Sequence, residues 1–296
     1  MKIAFLGLGK MGLPIATRLR KSGADVTVWN RTAKPLDDLA GLQIVSAATD
    51  AVAGCEVVFT MLNDDEAVST VMLGADGAAS FMSPGAIHVS MSTISVALSA
   101  RLTAEHAERG QIFVAAPVFG RPNVAAQGKL WIAIAGDPAA IKRIRPLLDA
   151  ISRGITVVGL QPKQAHALKL GGNFMITSMI QSLSEGFVFA HAQGIDPAVF
   201  LETVNAALFQ SPFYAAYGKV MLDPPEQPGA TIALGIKDTR LLREAASAAN
   251  TLLPLADHLA RQLQLASDAG LTREDWAVGQ YRLAQSLSQA LIPLKP

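Results

Sequence analysis

Lys169 stands in Ala165-His166-Ala167-Leu168-Lys169-Leu170, an apolar setting seldom given to a surface lysine. A lysine at the edge of a partly desolvated cleft can hand a proton to an oxygen that is gaining negative charge, and its own charge steadies that oxyanion. An unperturbed lysine titrates near ~10.4, so burial is expected to bring Lys169 down toward working range. Asn173 follows four residues later and shares a helix face with it, where it can hold either a substrate or the ammonium itself. Gly171 and Gly172 each cost about 1 kcal/mol inside a helix. They read as room for another backbone or a bound molecule to come close. A structural lysine that only snorkels to solvent is the alternative.

A second constellation is Gly7-Leu8-Gly9-Lys10-Met11-Gly12. Three glycines at this spacing are weak evidence alone, but here they follow a strand pattern and open a helix, the setting a dinucleotide site requires. Gly7 makes the tight turn, Gly9 lets a pyrophosphate reach the backbone, and Gly12 allows close helix–strand packing. Free N–H groups at the helix start, those around Leu8 and Met11 included, would face the phosphates. The second strand ends in Asn30-Arg31-Thr32, with no Asp or Glu to hold a ribose 2′-hydroxyl. A carboxylate there would repel a 2′-phosphate. Arg31 can instead pair with one, with Asn30 and Thr32 as neutral donors, so NADP (as NADPH) is expected rather than NAD. Otherwise Arg31 is a solvated surface cation.

Other chemistry is sparse. His88 is read as ending a strand, His106 and His258 as lying among polar residues of helices, and His166 and His191 as lying on one long helix; no metal-spaced cluster appears. His166, one turn before Lys169, could reach the same cleft. Cys55 is the only cysteine, which excludes an intrachain disulfide and fits a reducing, cytoplasmic compartment; no signal-peptide pattern precedes the first strand. The 25 basic and 24 acidic residues form no block of like charge, so nucleic acid and anionic membranes are not expected partners. The apolar stretch 174–192 is interrupted by Gln181, Ser184, Glu185 and His191 and reads as a buried helix rather than a membrane span.

The elements that must position these groups follow from the patterning. With half its residues hydrophobic, a chain of 296 residues has enough apolar material for two domains. Val/Ile-rich runs at 2–6, 25–29, 57–61, 87–90, 112–115, 131–135 and 155–158 read as strands. Helices at 12–21, 33–39, 66–72, 95–108 and 139–151 alternate with them, the sign of a parallel sheet covered on both faces. Beyond residue 159 the pattern is helical: 163–193, 197–207, 231–249, 254–269 and 273–291. The expected organisation is a doubly wound α/β Rossmann domain over 1–162 and an all-α substrate and oligomerisation domain over 163–296, joined through a long interdomain helix. That helix, apolar on more than one face, needs a second copy to cover it, so a homodimer or homotetramer is expected.

Four segments in order resemble the β-hydroxyacid dehydrogenase family, which includes 3-hydroxyisobutyrate dehydrogenase, tartronate semialdehyde reductase and the glyoxylate/succinic semialdehyde reductases. They are the glycine turn continued by Leu13-Pro14, Met91-Ser92-Thr93-Ile94-Ser95, Lys169-Leu170-Gly171-Gly172-Asn173 and Lys237-Asp238. The resemblance implies hydride transfer between a nicotinamide and a small carbonyl or hydroxyacid substrate, with Lys169 as proton donor. It also implies that Met61-Leu62-Asn63, Thr93 and Lys237 contact the cofactor, and that Ser92 and Asn173 contact the substrate. Asp238 either orients Lys237 or forms an ordinary surface ion pair. One segment departs from the pattern. Where the family has Asp-Ala-Pro-Val-Ser-Gly-Gly, this chain has Ala115-Ala116-Pro117-Val118-Phe119-Gly120-Arg121. Phe119 and Gly120 sit where a substrate carboxylate would be clasped; Phe119 either lines an apolar pocket or packs inward. Arg121 either grips an anionic substrate group or lies at the surface. The competing readings are an imine reductase on the same scaffold, disfavoured by the retained lysine, and a non-catalytic NADP-binding module.

Overall fold

The computed structural model describes residues 1–32 and 41–290. The helix expected over 33–39 and the end of the one expected over 273–291 fall outside them. The chain divides into two compact units, Met1–Leu170 and Gly171–Pro296.

In the first unit, strands β1 (Lys2–Leu6), β2 (Asp25–Trp29), β3 (Gln43–Ile44), β4 (Val57–Thr60), β5 (Ile87–Ser90) and β6 (Ile112–Ala115) lie parallel in the order β3-β2-β1-β4-β5-β6. Strand β8 (Leu130–Ala135) then runs antiparallel to β6 and to the short β7 (Val118–Phe119), and β9 (Ser152–Gly159) pairs parallel with β8. The sheet is therefore mostly parallel and doubly wound. Strand residues bury both faces: Ile3 and Phe5 of β1 join one core with Ile15 and Leu19 of α1 (Gly12–Lys21) and Ile144 of α6 (Pro138–Asp149). Ala4 and Leu6 join the other, with Val68 and Met72 of α3 (Asp65–Leu73) and Leu98 and Leu102 of α4 (Val96–Glu108). This two-sided burial is why the strands read as unbroken apolar runs rather than as alternation. Two short helices, α2 (Ala48–Val52) and α5 (Pro122–Ala126), complete the unit before α7 (Pro162–Ala192).

That last helix, 31 residues long, runs from the first unit into the second. The second unit adds α8 (Pro197–Val204), α9 (Pro212–Leu222), α10 (Ile232–Ala248), α11 (Pro254–Ala266) and α12 (Trp276–Ala290) around a core that includes Ile180, Leu183, Phe187, Leu201, Leu263 and Trp276. Asp196, Ser211 and Thr231 cap α8, α9 and α10 through their side-chain oxygens. Among the described residues no helix is long and apolar enough to cross a membrane.

The histidines correct the expectation from sequence. His88 lies inside β5 rather than at its end, and His106 lies on the buried face of α4 rather than among polar residues. They belong to one chain of contacts: Thr60 Oγ1 to His88 Nε2 at 2.9 Å, His88 Nδ1 to His106 Nε2 at 2.8 Å, and His106 Nδ1 to Gln111 Oε1 at 2.7 Å. Gln111 Nε2 donates to the Ala79 and Met82 carbonyls, so its Oε1 must accept. It follows that His106 donates from Nδ1, His88 donates from Nδ1 to His106 Nε2, and the Thr60 hydroxyl donates to His88 Nε2. With both imidazoles neutral, every donor in the chain meets an acceptor, and a proton added at His106 Nε2 would set it against the His88 Nδ1–H.

Burial pushes the same way. It holds His88 well below its usual 6.5, with the neighbouring His106 and His166 adding to the effect, and holds His106 down at about 4. His166, also buried, is held down at about 3. Between pH 6.5 and about 4 the unfolded chain binds protons at these positions that the folded chain refuses. Their contribution to stability is therefore complete above pH 6.5 and lost as pH falls, at about 1.4 kcal/mol per pH unit for each histidine. Denaturant unfolding followed from pH 7 to 5 should show the midpoint falling steeply, and His106→Gln should flatten that slope by about one histidine's share. A wild-type midpoint unchanged across this range would contradict the assignment.

Candidate active site

The strand order reverses direction at β1, so a crevice opens beyond the carboxyl ends of β1 and β4. Two glycines allow it to form. Gly7 has φ +102°, and a side chain there would strike the Met61 carbonyl oxygen. A side chain on Gly12 would strike the Gly7 carbonyl oxygen. Helix α1 can therefore start only where both residues lack a Cβ.

Hydrogen bonds between loops then fix the rim. Gly7 N–H donates to the Trp29 carbonyl at 2.9 Å and Leu8 N–H to Asn30 Oδ1 at 2.8 Å, tying the ends of β1 and β2. Leu62 N–H donates to Ser92 Oγ at 2.8 Å and Ser95 N–H to Asp65 Oδ1 at 2.9 Å, tying the end of β4 and the start of α3 to the end of β5. These bonds connect residues 22 to 30 apart in sequence. They involve two of the residues expected to contact a ligand. Asn30 uses its amide on Leu8 N–H and, at 2.7 Å, on the Thr32 carbonyl, so it braces the turn more than it offers a donor to a ligand. Ser92 has no accessible surface, and its hydroxyl oxygen accepts from the Leu62 N–H.

The turn suits a pyrophosphate. A side chain built on Gly9 would meet nothing within 4 Å, so the outer face of the turn is open. The first helical hydrogen bond runs from Leu13 N–H to the Gly9 carbonyl, and Met11, at the N-cap of α1, gives no side-chain cap, with no acidic residue in the first turn. The amides ahead of that bond and the positive end of the helix are what an anion needs. Arg31 and Thr32 are exposed just past β2. Met61 and Leu62 are half-buried beside the turn, Asn63 is exposed, and Thr93 is half-buried at the end of β5.

Helix α7 reaches the same carboxyl edge. Ala165 packs against Ala115 at the end of β6 and Ala135 at the end of β8, while His166 Nδ1 pairs with Ser99 Oγ at 2.9 Å and its ring stacks near Phe113. His166 is fully buried and neutral, which removes it as an acid–base group of the cleft. About one turn beyond, the half-buried Lys169 places its ammonium 4.3 Å from the centre of the Phe119 ring. Phe119 thus faces Lys169 rather than packing away into the core. Gly120 follows at φ +141°, and Arg121 is half-buried at the start of α5.

In the second unit Asn173 and Asp238 are both buried, and Asn173 Nδ2 donates to Asp238 Oδ2 at 2.5 Å. The Lys237 ammonium lies 3.1 Å from Asp238 Oδ1. Asp238 is therefore no surface ion pair: it holds both the amide and the ammonium. It also sets the direction of Asn173, whose N–H₂ faces Asp238 and whose carbonyl prong points away from it.

Comparison with known proteins agrees with this geometry. Residues 2–159 match the NAD binding domain of 6-phosphogluconate dehydrogenase, and residues 164–279 match the NAD-binding domain of NADP-dependent 3-hydroxyisobutyrate dehydrogenase. The chain is 42% identical to the uncharacterized oxidoreductase YfjR of Bacillus subtilis, over 94% of this chain and 98% of that one. It is 33% identical to the chloroplastic glyoxylate/succinic semialdehyde reductase 2 of Arabidopsis thaliana, over 94% of this chain and 78% of the relative. The crystal structure of 3-hydroxyisobutyrate dehydrogenase from Salmonella typhimurium superposes with a TM-score of 0.85 at 25% identity, covering 96% of this chain and 99% of that one.

Proposed function

The chain belongs to the β-hydroxyacid dehydrogenase family and is an NAD(P)-dependent oxidoreductase of that type, and on that footing we propose that it reduces a small carbonyl compound with NADPH, Lys169 supplying the proton. The observation that carries the reading is the half-buried Lys169 ammonium at the carboxyl edge of a sheet whose first turn is shaped for a pyrophosphate. When bound, the reduced nicotinamide supplies the hydride. Lys169 Nζ gives its proton to the carbonyl oxygen as negative charge builds there, and takes another from water afterwards. Asn173, whose N–H₂ is held by Asp238, keeps its carbonyl oxygen as an acceptor for the substrate hydroxyl or for an ammonium. The amides of the turn from Gly9 through Met11 to Gly12 hold the phosphates, Gly7 and Leu8 shaping the turn because their own N–H groups bond Trp29 and Asn30, with Met61, Leu62, Asn63, Thr93 and Lys237 as further cofactor contacts.

The preference for NADPH rests on the exposed Arg31 after β2 and on the lack of a carboxylate there, where a 2′-phosphate would sit. Cys55, buried with its thiol pushed up by desolvation, fits a protein of the reducing cytosol. A homodimer formed through the helical unit fits its exposed apolar side chains: Met175 and Phe189 stand out on α7, seven residues either side of the exposed Ser182, and Leu208, Phe209 and Phe213 stand out between and on α8 and α9.

Three measurements check this reading. Lys169→Ala should lower single-turnover reduction by about 10²–10⁴-fold with little change in NADPH affinity. Lys169→Arg should fail to rescue it, because a guanidinium keeps its proton; retention of a tenth of normal turnover by Lys169→Ala would remove the lysine from this role. NADPH should bind at least about tenfold tighter than NADH, about 1.4 kcal/mol, and Arg31→Ala should erase most of that difference without weakening NADH. Light scattering at micromolar concentration should give at least a dimer, and a monomeric mass would count against the covered helical face.

A further inference from the structure

Phe119 is held where it is by its backbone. It pairs with Trp131 across the antiparallel β7–β8 contact, and Val118, Pro117 and Ala116 before it are all buried. Behind it Gly120 sits at φ +141°, a conformation side chains rarely adopt, and a Cβ there would lie 2.7 Å from Leu130 Cδ2. The segment has no slack with which to turn the ring away. The ring stands 4.3 Å from Lys169 Nζ, so one side of the proton donor is covered by an aromatic face.

That face decides what can lie beside the donor. A substrate carbonyl that takes the Nζ proton brings its substituent against Phe119. An alkyl or aryl substituent packs on the ring and loses nothing. A carboxylate in the same place gives up its water, finds no hydroxyl or amide hydrogen on Phe119, and meets the negative face of a π-system. We infer that Phe119 is a specificity-determining residue that turns this site toward uncharged aldehydes or ketones with an apolar substituent, and away from the acid-bearing carbonyls named for the semialdehyde-reducing relative. The inference rests on the reading of Lys169 as the proton donor.

Butanal and succinic semialdehyde test it, since they share four carbons and differ in one carboxylate. The wild type should show a kcat/KM for butanal at least tenfold above that for succinic semialdehyde. Phe119→Leu, still apolar, should keep the preference. Phe119→Ser should cut the ratio at least tenfold, mainly through a lower KM for the acid. Calorimetry on the NADP-loaded chain with the unreactive amides butyramide and succinamate reads the same discrimination without turnover: butyramide should bind tighter in the wild type, and the gap should close in Phe119→Ser. A wild-type preference for succinic semialdehyde that Arg121→Ala abolishes would overturn the inference and assign the anion to Arg121. A preference for butanal that Phe119→Ser leaves intact would also overturn it. If neither aldehyde is reduced, the reductase reading fails on its own, and the amide affinities still decide for or against Phe119.

Discussion

The first unit depends on one close approach: the backbone of Gly12 lies against the Gly7 carbonyl while Gly7 lies against that of Met61. This double contact fixes where α1 begins, brings the end of β4 against the end of β1, and leaves the amides at the helix start facing the crevice. The hydrogen bonds through Asn30, Ser92 and Asp65 hold the surrounding loops at the positions this contact sets. The loops that would receive a cofactor are therefore braced by their own side chains, so little ordering remains to oppose binding.

Helix α7 brings Lys169 to the same edge by different means. Small residues do the docking: Ala165 against Ala115 and Ala135 lets the helix come close to the strand ends, and His166 anchors it through Ser99. Because His166 is neutral and wholly enclosed, its presence one turn before Lys169 adds no competing charge. In the second unit Asp238 plays a comparable part for Asn173 and Lys237, two groups whose polar ends would otherwise be free to rotate.

The sheet was legible from sequence because its strands are buried on both faces and flanked by glycine; β1, β2, β5 and β6 lie where the apolar runs place them. The tight turn between β1 and α1 was legible because Gly7, Gly9 and Gly12 lie close together in sequence. Helix α9 was missed although Ser211-Pro212 is a capping signal; its aromatic residues pair as Phe209 with Tyr214 and Phe213 with Tyr217. Strand β9 begins at Ser152, ahead of its apolar run, because its register is set by pairing with β8. The roles of Asn30, Ser92 and Asp238 come from partners 22, 30 and 65 residues away, which no local pattern encodes.

The chain from Gln111 through His106 and His88 to Thr60 has a further consequence, for evolution. Donor and acceptor alternate along it in one direction only, so a change at any one member leaves a buried neighbour without its counterpart. Drift at these four positions is therefore coupled: a lineage keeps the whole relay or replaces it together with apolar side chains of matching volume. That coupling joins positions on β4, β5 and α4 to one in the turn between α4 and β6.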